Sequence, residues 1–211
     1  MAVDVVPDAF GEVTKCIHDK SISLINKIKL MEALCKITIR LGDLLPHYVE
    51  KFNIFNILCH LCSSRSRVQD YTDSHAEADN SQSSLQVKHD WRLLRASSLS
   101  SINDIILTLG PSSAGHHLKI IDISLGILQH EYEESVVLRR TALYVLHSIL
   151  FVNSTCDRLD ISMQTRKLLK DKLQYVNIFL QNMLVNAGNG SGENDLICKH
   201  HVHCCLSLYQ T

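Results

Sequence analysis

Hydrophobic residues along this chain return at steps of three and four, not two. Ile22, Ile25, Ile28, Leu30, Met31, Leu34, Ile37 and Leu41 form the clearest series, and this is the period of a helix with one buried face. The series stops near Gly42. A first helix is predicted from about Pro7 to His18. A third follows Pro46, with Val49, Phe52, Ile54, Phe55, Leu58 and Cys62 on its inner side. Helical texture resumes near Asp90, whose carboxylate suits an N-cap. Leu94, Leu99, Ile102, Ile105, Ile106 and Leu109 then share one face, with Gly110 as C-cap candidate. Another helix runs from about Ser113 to His130. The next carries Val137, Leu138, Leu143, Leu146, Ile149 and Leu150, and Glu131 to Glu134 place negative charge at its start. Ser162 to Val185 is again helical, through Leu168, Leu169, Leu173, Val176, Phe179, Leu180 and Met183. Pro7, Pro46 and Pro111 fall where a helix begins or a turn lies. No Asn-Gly or Asp-Gly pair joins alternating apolar runs, so hairpins are not expected. The pattern predicts an all-α fold.

Two stretches break the pattern. Residues 63–87 are rich in Ser, Asp, Asn, Gln and His, with too few hydrophobes to order themselves. They are expected to form a flexible loop inside a helical array covering residues 1–187. Residues 188–193 read as a linker and 194–211 as a terminal helix capped by Asn194 or Asp195.

The helices repeat. Leu94-Arg95-Ala96-Ser97-Ser98-Leu99 and Ile102 superimpose without gaps on Leu138-Arg139-Arg140-Thr141-Ala142-Leu143 and Leu146. Ile105 and Ile106 fall on Ile149 and Leu150. The offset is about 44 residues, within the range of HEAT and armadillo units. A weaker third copy matches Ala33-Leu34 and Ile37 to Ala142-Leu143 and Leu146, about 65 residues from the middle copy. The expected architecture is an α-solenoid of about three helical hairpins, each burying its apolar face on a neighbour. The alternative is a bundle of unrelated amphipathic helices.

Composition narrows the function. The formal net charge is -1, so no electrostatic footprint for nucleic acid is present. Met1 to Phe10 carries Asp4 and Asp8 and lacks the pattern of a secretory signal. The eight cysteines are therefore expected as free thiols in a reducing cytosol or nucleus. No run approaches 18 uncharged apolar residues, so no membrane span is expected; the most apolar stretch, Leu143 to Val152, contains His147. A P-loop and a dinucleotide fingerprint are both missing, and no cofactor is expected.

Three groups of residues bear on chemistry. Cys59-His60-Leu61-Cys62 is a C-x-x-C that zinc would share with tail residues Cys198, His200, His201, His203, Cys204 and Cys205. The ligand types suit zinc. The spacing does not, since no second C-x-x-C follows. Leu196, His200, Cys204 and Leu208 instead fall on one helical stripe, and cysteine is often buried as a small hydrophobe. No metal is expected on balance, and a zinc-stapled module stays as an alternative. A Cys-His nucleophile, such as Cys59 with a tail His, has no accompanying signature, so no catalytic residue is assigned. Arg92, Arg95, Arg139 and Arg140 lie near the starts of two equivalent helices. There they would grip an acidic or phosphorylated partner segment. Alternatively they pair with acids of neighbouring repeats such as Asp90, Glu133 or Glu134. Ser63-Ser64-Arg65-Ser66-Arg67 reads as a solvated linker, with phosphorylation as the alternative. His116-His117 is expected at the surface or partly buried.

The same stretches resemble a known family. Lys29-Leu30-Met31-Glu32-Ala33-Leu34, with Arg40-Leu41-Gly42-Asp43-Leu44-Leu45 and Tyr48, looks like its penultimate repeat. Arg95-Ala96-Ser97-Ser98-Leu99-Ser100-Ser101-Ile102 looks like its most recognisable segment, and Val137 to Leu150 continues the similarity. The family is that of the transport and Golgi organisation protein six homologues, related to the fungal RNA polymerase II assembly and nuclear-import factor. The resemblance runs from about Ile22 to Leu150. It covers only the C-terminal end of the family's longer α-solenoids, and the Ser-rich loop departs from it as an insertion. It implies a cytoplasmic adaptor, shuttling to the nucleus, that binds RNA polymerase II subunits and import factors. A secretion and Golgi role attaches to the animal branch. An array end without its neighbour exposes apolar surface, so self-association is expected.

Overall fold

The computed structural model describes residues 5–19, 21–63, 81–129, 136–155, 161–187, 199–200 and 202–207. Among them no strand occurs, so the chain is all-α. It divides into two compact units, Met1–Ser101 and Ile102–Thr211.

The first unit begins with α1 (Val5–His18) packed on α2 (Leu24–Leu41), an αα-hairpin joined by a short connection. A 3-10 turn, Gly42–Leu44, leads to α3 (Leu45–Lys51), with Pro46 in its first turn. The third helix expected to run on from Pro46 to Cys62 is in fact two. Asn53 adopts φ +52, and asparagine tolerates this left-handed conformation better than most residues. The chain turns there into α4 (Ile54–Ser63). The break lets Phe52 and Tyr48 stack at 6.2 Å and close over Phe10, whose ring lies 5.9 Å from Phe52. Gly11 belongs to the same contact. A Cβ there would lie 2.8 Å from the Phe52 ring, which accounts for glycine in mid-helix despite its cost of about 1 kcal/mol.

The helix α5 (Ser81–Leu109) starts well before Asp90. Asp90 is therefore not its N-cap; its carboxylate accepts a hydrogen bond from Gln86 Nε2 one turn earlier, at 2.7 Å. Residues 81–87 of the expected loop are helical, and residues 64–80 lie outside the described residues. Polar side chains buried among these helices are satisfied locally. Thr14, Thr38 and Ser98 each donate to the carbonyl four residues back, at 2.7 to 2.8 Å, which removes most of the cost of burying a hydroxyl.

In the second unit the end of α5 passes through a 3-10 segment, Gly110–His116, into α6 (His117–Gln129). Gly110 has φ +54, the left-handed stop that its position suggested. The helix α6 packs against both α7 (Val136–Thr155) and α8 (Met163–Ala187). Ser162 caps α8, accepting from the Thr165 N–H at 3.1 Å. Ser148 Oγ of α7 donates to Asn103 Oδ1 of α5 at 2.7 Å. Residues 202–207 form a short helical stretch whose Cys205 thiol reaches the Leu143 carbonyl at 3.6 Å. The expected linker, 188–193, lies outside the described residues, as does Glu131 to Glu134.

The positions matched in the repeat are buried alike. Leu94, Leu99, Ile102, Ile105 and Ile106 of α5 and Leu138, Leu143, Leu146, Ile149 and Leu150 of α7 are all at most 4% exposed. The stretch α7 also has the length and mean hydropathy, 1.3 over its best window, of a membrane-crossing helix. Half of that window is buried inside the unit, as in the core helix of a helical domain.

Candidate binding surface

Two polar side chains of the second unit meet at His117, which the sequence placed at the surface or partly buried. It is fully buried. The 3-10 segment before α6 turns it inward, between Ser113 and Asn153. Ser113 Oγ lies 2.8 Å from His117 Nε2, and Asn153 Nδ2 lies 3.1 Å from His117 Nδ1. Asn153 Nδ2 also donates to the Ile149 carbonyl at 2.6 Å, and Ser113 Oγ to the Gly110 carbonyl at 2.7 Å. These bonds assign the protons. Asn153 donates to Nδ1, so the ring carries its proton on Nε2 and donates it to Ser113. Ser, His and Asn in a row resemble a nucleophile with its base. Here Nε2 already bears a proton and Ser113 is fully buried, so the serine has neither a base nor an approach for substrate. Burial, with a smaller contribution from His116, holds the imidazole down to about 4. The arrangement is a neutral polar staple joining the start of α6 to the end of α7.

The cysteines are likewise packed. Cys59 and Cys62 are buried in α4. Burial foremost, then the neighbouring Cys59, pushes the Cys62 thiol far up. Cys205 is pushed up to about 12 by burial and by Cys204. Burial of this kind keeps the free thiols protonated and unreactive. Among the described residues no three His, Cys, Asp or Glu side chains are grouped to hold a metal ion. Cys198 and His201 lie outside the described residues. His200 and Cys204 do share a stripe, with Nε2 and Sγ 3.7 Å apart. With Leu143, Tyr144 and His147 of α7 they line a small pocket of about 250 Å3.

The four arginines fall in different settings. Arg92 and Arg95 lie in the middle of α5, not near its start, because that helix begins at Ser81. Arg92 is exposed. Arg95 Nε donates to the Cys62 carbonyl at 2.9 Å, satisfying one of the last carbonyls of α4. It is part of the first unit's packing. Arg139 and Arg140 lie in the first turns of α7, in the second unit. Both are partly buried, and Arg139 Nε has no hydrogen-bond partner among the described residues.

No protein-family profile, curated protein or solved structure matches the chain.

What the surface does display is a stripe on α7. Val137, Tyr144 and Phe151 are 47%, 44% and 44% exposed. They stand at seven-residue spacing, hence on one face. Arg140 and His147, three residues after Val137 and Tyr144, flank them on the same side. The other faces of α7 are buried, through Leu138, Leu146 and Ile149 among others. Sequence periodicity alone does not single this stripe out, because Val137 falls with the inner positions of the helical period and Tyr144 and Phe151 belong to no apolar series.

Proposed function

We propose that this chain is a protein-binding helical-repeat module of the HEAT/armadillo kind, and that it docks a partner through the exposed stripe of α7. The repeat reading rests on the agreement of five buried positions between α5 and α7. The docking reading rests on Val137, Tyr144 and Phe151, an apolar and aromatic row on a helix otherwise enclosed in its unit. Arg140 and His147 beside it favour an amphipathic helix with acidic side chains as the occupant, laid along the stripe with its apolar face inward. In the cell, the resemblance favours RNA polymerase II subunits and import factors as partners, and an adaptor role in polymerase assembly and nuclear import. A trafficking adaptor in secretion is the second reading, supported by the same family resemblance.

Affinity purification of the tagged chain beside a Val137→Ser/Phe151→Ser variant tests both. Polymerase subunits or import factors recovered with the unsubstituted chain and lost with the variant would support the first reading. Golgi or coat components lost in the same way would support the second. Recovery of the same proteins with and without the substitutions would overturn α7 as the docking surface.

A further inference from the structure

The helix α8 carries a second exposed row, independent of the α7 stripe. Leu168, Tyr175, Ile178 and Val185 are 52%, 46%, 57% and 75% exposed. They fall on the a and d positions of a heptad pattern. Asp171 and Asn182, both exposed, fill the two remaining positions of that seam. The inner face of the same helix, Leu169, Val176 and Leu180, is buried and lies about 150° away around the axis. The seam is therefore not a margin of the unit's core. Single exposed hydrophobes are ordinary on a protein surface, whereas four in one straight row of about 26 Å mark a contact.

The middle of the row is held in place. Tyr175 Oη accepts from Gln129 Nε2 of α6 at 3.0 Å. Lys172, paired with Asp122 of α6, sets its Nζ 5.7 Å from the Tyr175 ring centroid. A ring fixed in this way loses little freedom on docking. Charge then selects the occupant. The first half of α8 carries Arg166, Lys167, Lys170 and Lys172 against Asp171, and Leu173 to Ala187 carries no charge. Two such helices side by side in parallel would bring their basic halves together and set Asp171 against Asp171, and like charges so placed repel. In antiparallel pairing an a position meets a d position. Leu168 then meets Val185 of the second copy, Tyr175 meets Ile178, and the Asp171 carboxylate meets the Asn182 carboxamide, which donates to it. Each basic half lies along an uncharged half, toward the negative end of the other helix's dipole.

We propose that the α8 seam binds a second copy of this chain, the two α8 helices running antiparallel about a two-fold axis between Tyr175 and Ile178. The contact is isologous, so each pair occurs twice. The four apolar side chains of each copy supply the burial, and the Asp171–Asn182 pairs fix the register as a polar seam position does in a coiled coil. The α7 stripe lies on another helix and stays available to a different partner.

Sedimentation velocity of the full 211-residue chain, from micromolar to submillimolar concentration, tests this. The expected result is a reversible monomer–dimer equilibrium. Ile178→Asp should weaken it at least about tenfold, as for loss of a buried aliphatic side chain from each copy. Ile178 is exposed, so the helicity of that variant should be unchanged. Asn182→Lys sets an ammonium against Asp171 of the other copy and should tighten the dimer about threefold, as for two exposed ion pairs. The same substitution in a parallel pair would set lysine against lysine and weaken it. Val137→Ser/Phe151→Ser should leave the equilibrium unmoved, which separates this surface from the α7 stripe. A monomer at every concentration, a dimer indifferent to Ile178→Asp, or weakening by Asn182→Lys would overturn the proposal. So would a monomer that floats with phosphatidylserine vesicles and loses them in Ile178→Asp, which would assign the seam to a lipid surface instead.

Discussion

At the scale of single residues, His117 has the largest consequence. Its imidazole is about 4 when folded and near 6.5 when unfolded. Between these values the unfolded chain binds a proton that the folded chain does not, so stability rises with pH across that window. The contribution is fully present above pH 6.5. It is lost as pH falls, and the loss is complete near pH 4. The full difference is about 3 kcal/mol, from 1.36 kcal/mol per pH unit. Urea unfolding midpoints between pH 4 and 7 should show this slope, and His117→Leu should flatten it. An unchanged slope in the variant would assign the acid sensitivity elsewhere. The cysteines make a second prediction. Iodoacetamide should modify the partly exposed Cys16, Cys35 and Cys204 before the buried Cys59, Cys62 and Cys205, which are shielded from the reagent. Early labelling of Cys62 would mean that α4 opens readily.

At the scale of elements, the correspondence of α5 and α7 has a direct energetic form. Leu99 and Leu143 are matched in the proposed repeat, and both are fully buried. Truncation of either to alanine should cost about 2 to 5 kcal/mol, measured by chemical denaturation. A difference between them of more than about 2 kcal/mol would mean that the two sites relax differently, and would weaken the equivalence. The helices that hydrophobic period identified were placed well, because a buried face must recur every 3.6 residues wherever it packs. Expectation and structure part where that signal is missing. The first turns of α5, Ser81 to Lys88, are almost wholly polar, so their helicity left no apolar period to read. The break at Asn53 was hidden for the opposite reason: apolar residues continue on both sides of it, and only the backbone angle separates α3 from α4.

At the scale of the whole molecule, the chain presents two units, and the second carries both the α7 stripe and the α8 seam. The α7 stripe predicts a salt response as well as a partner. Surface charges are screened beyond about 10 Å at 0.1 M ionic strength, and the partly buried Arg140 somewhat less. The bound partner should therefore be retained partly at high salt through Val137, Tyr144 and Phe151, and Arg140→Ala should mainly reduce that salt dependence. Complete loss of the partner at 0.5 M salt would point to a purely electrostatic grip. Metal analysis of the purified chain should find no stoichiometric zinc, since among the described residues no three His, Cys, Asp or Glu side chains are grouped to hold it; one zinc per chain would restore the zinc-stapled alternative.

What the sequence by itself determined was the all-α class, most helix positions and which faces of α5 and α7 are buried. These are local properties, written in periodicity and in turn residues such as Gly110 and Ser162. Tertiary structure alone decided what those faces enclose. It brought His117 between Ser113 and Asn153 and fixed its tautomer. It tied Arg95 to the end of α4. Contacts of that kind depend on how helices meet, and a linear period carries no information about the meeting point.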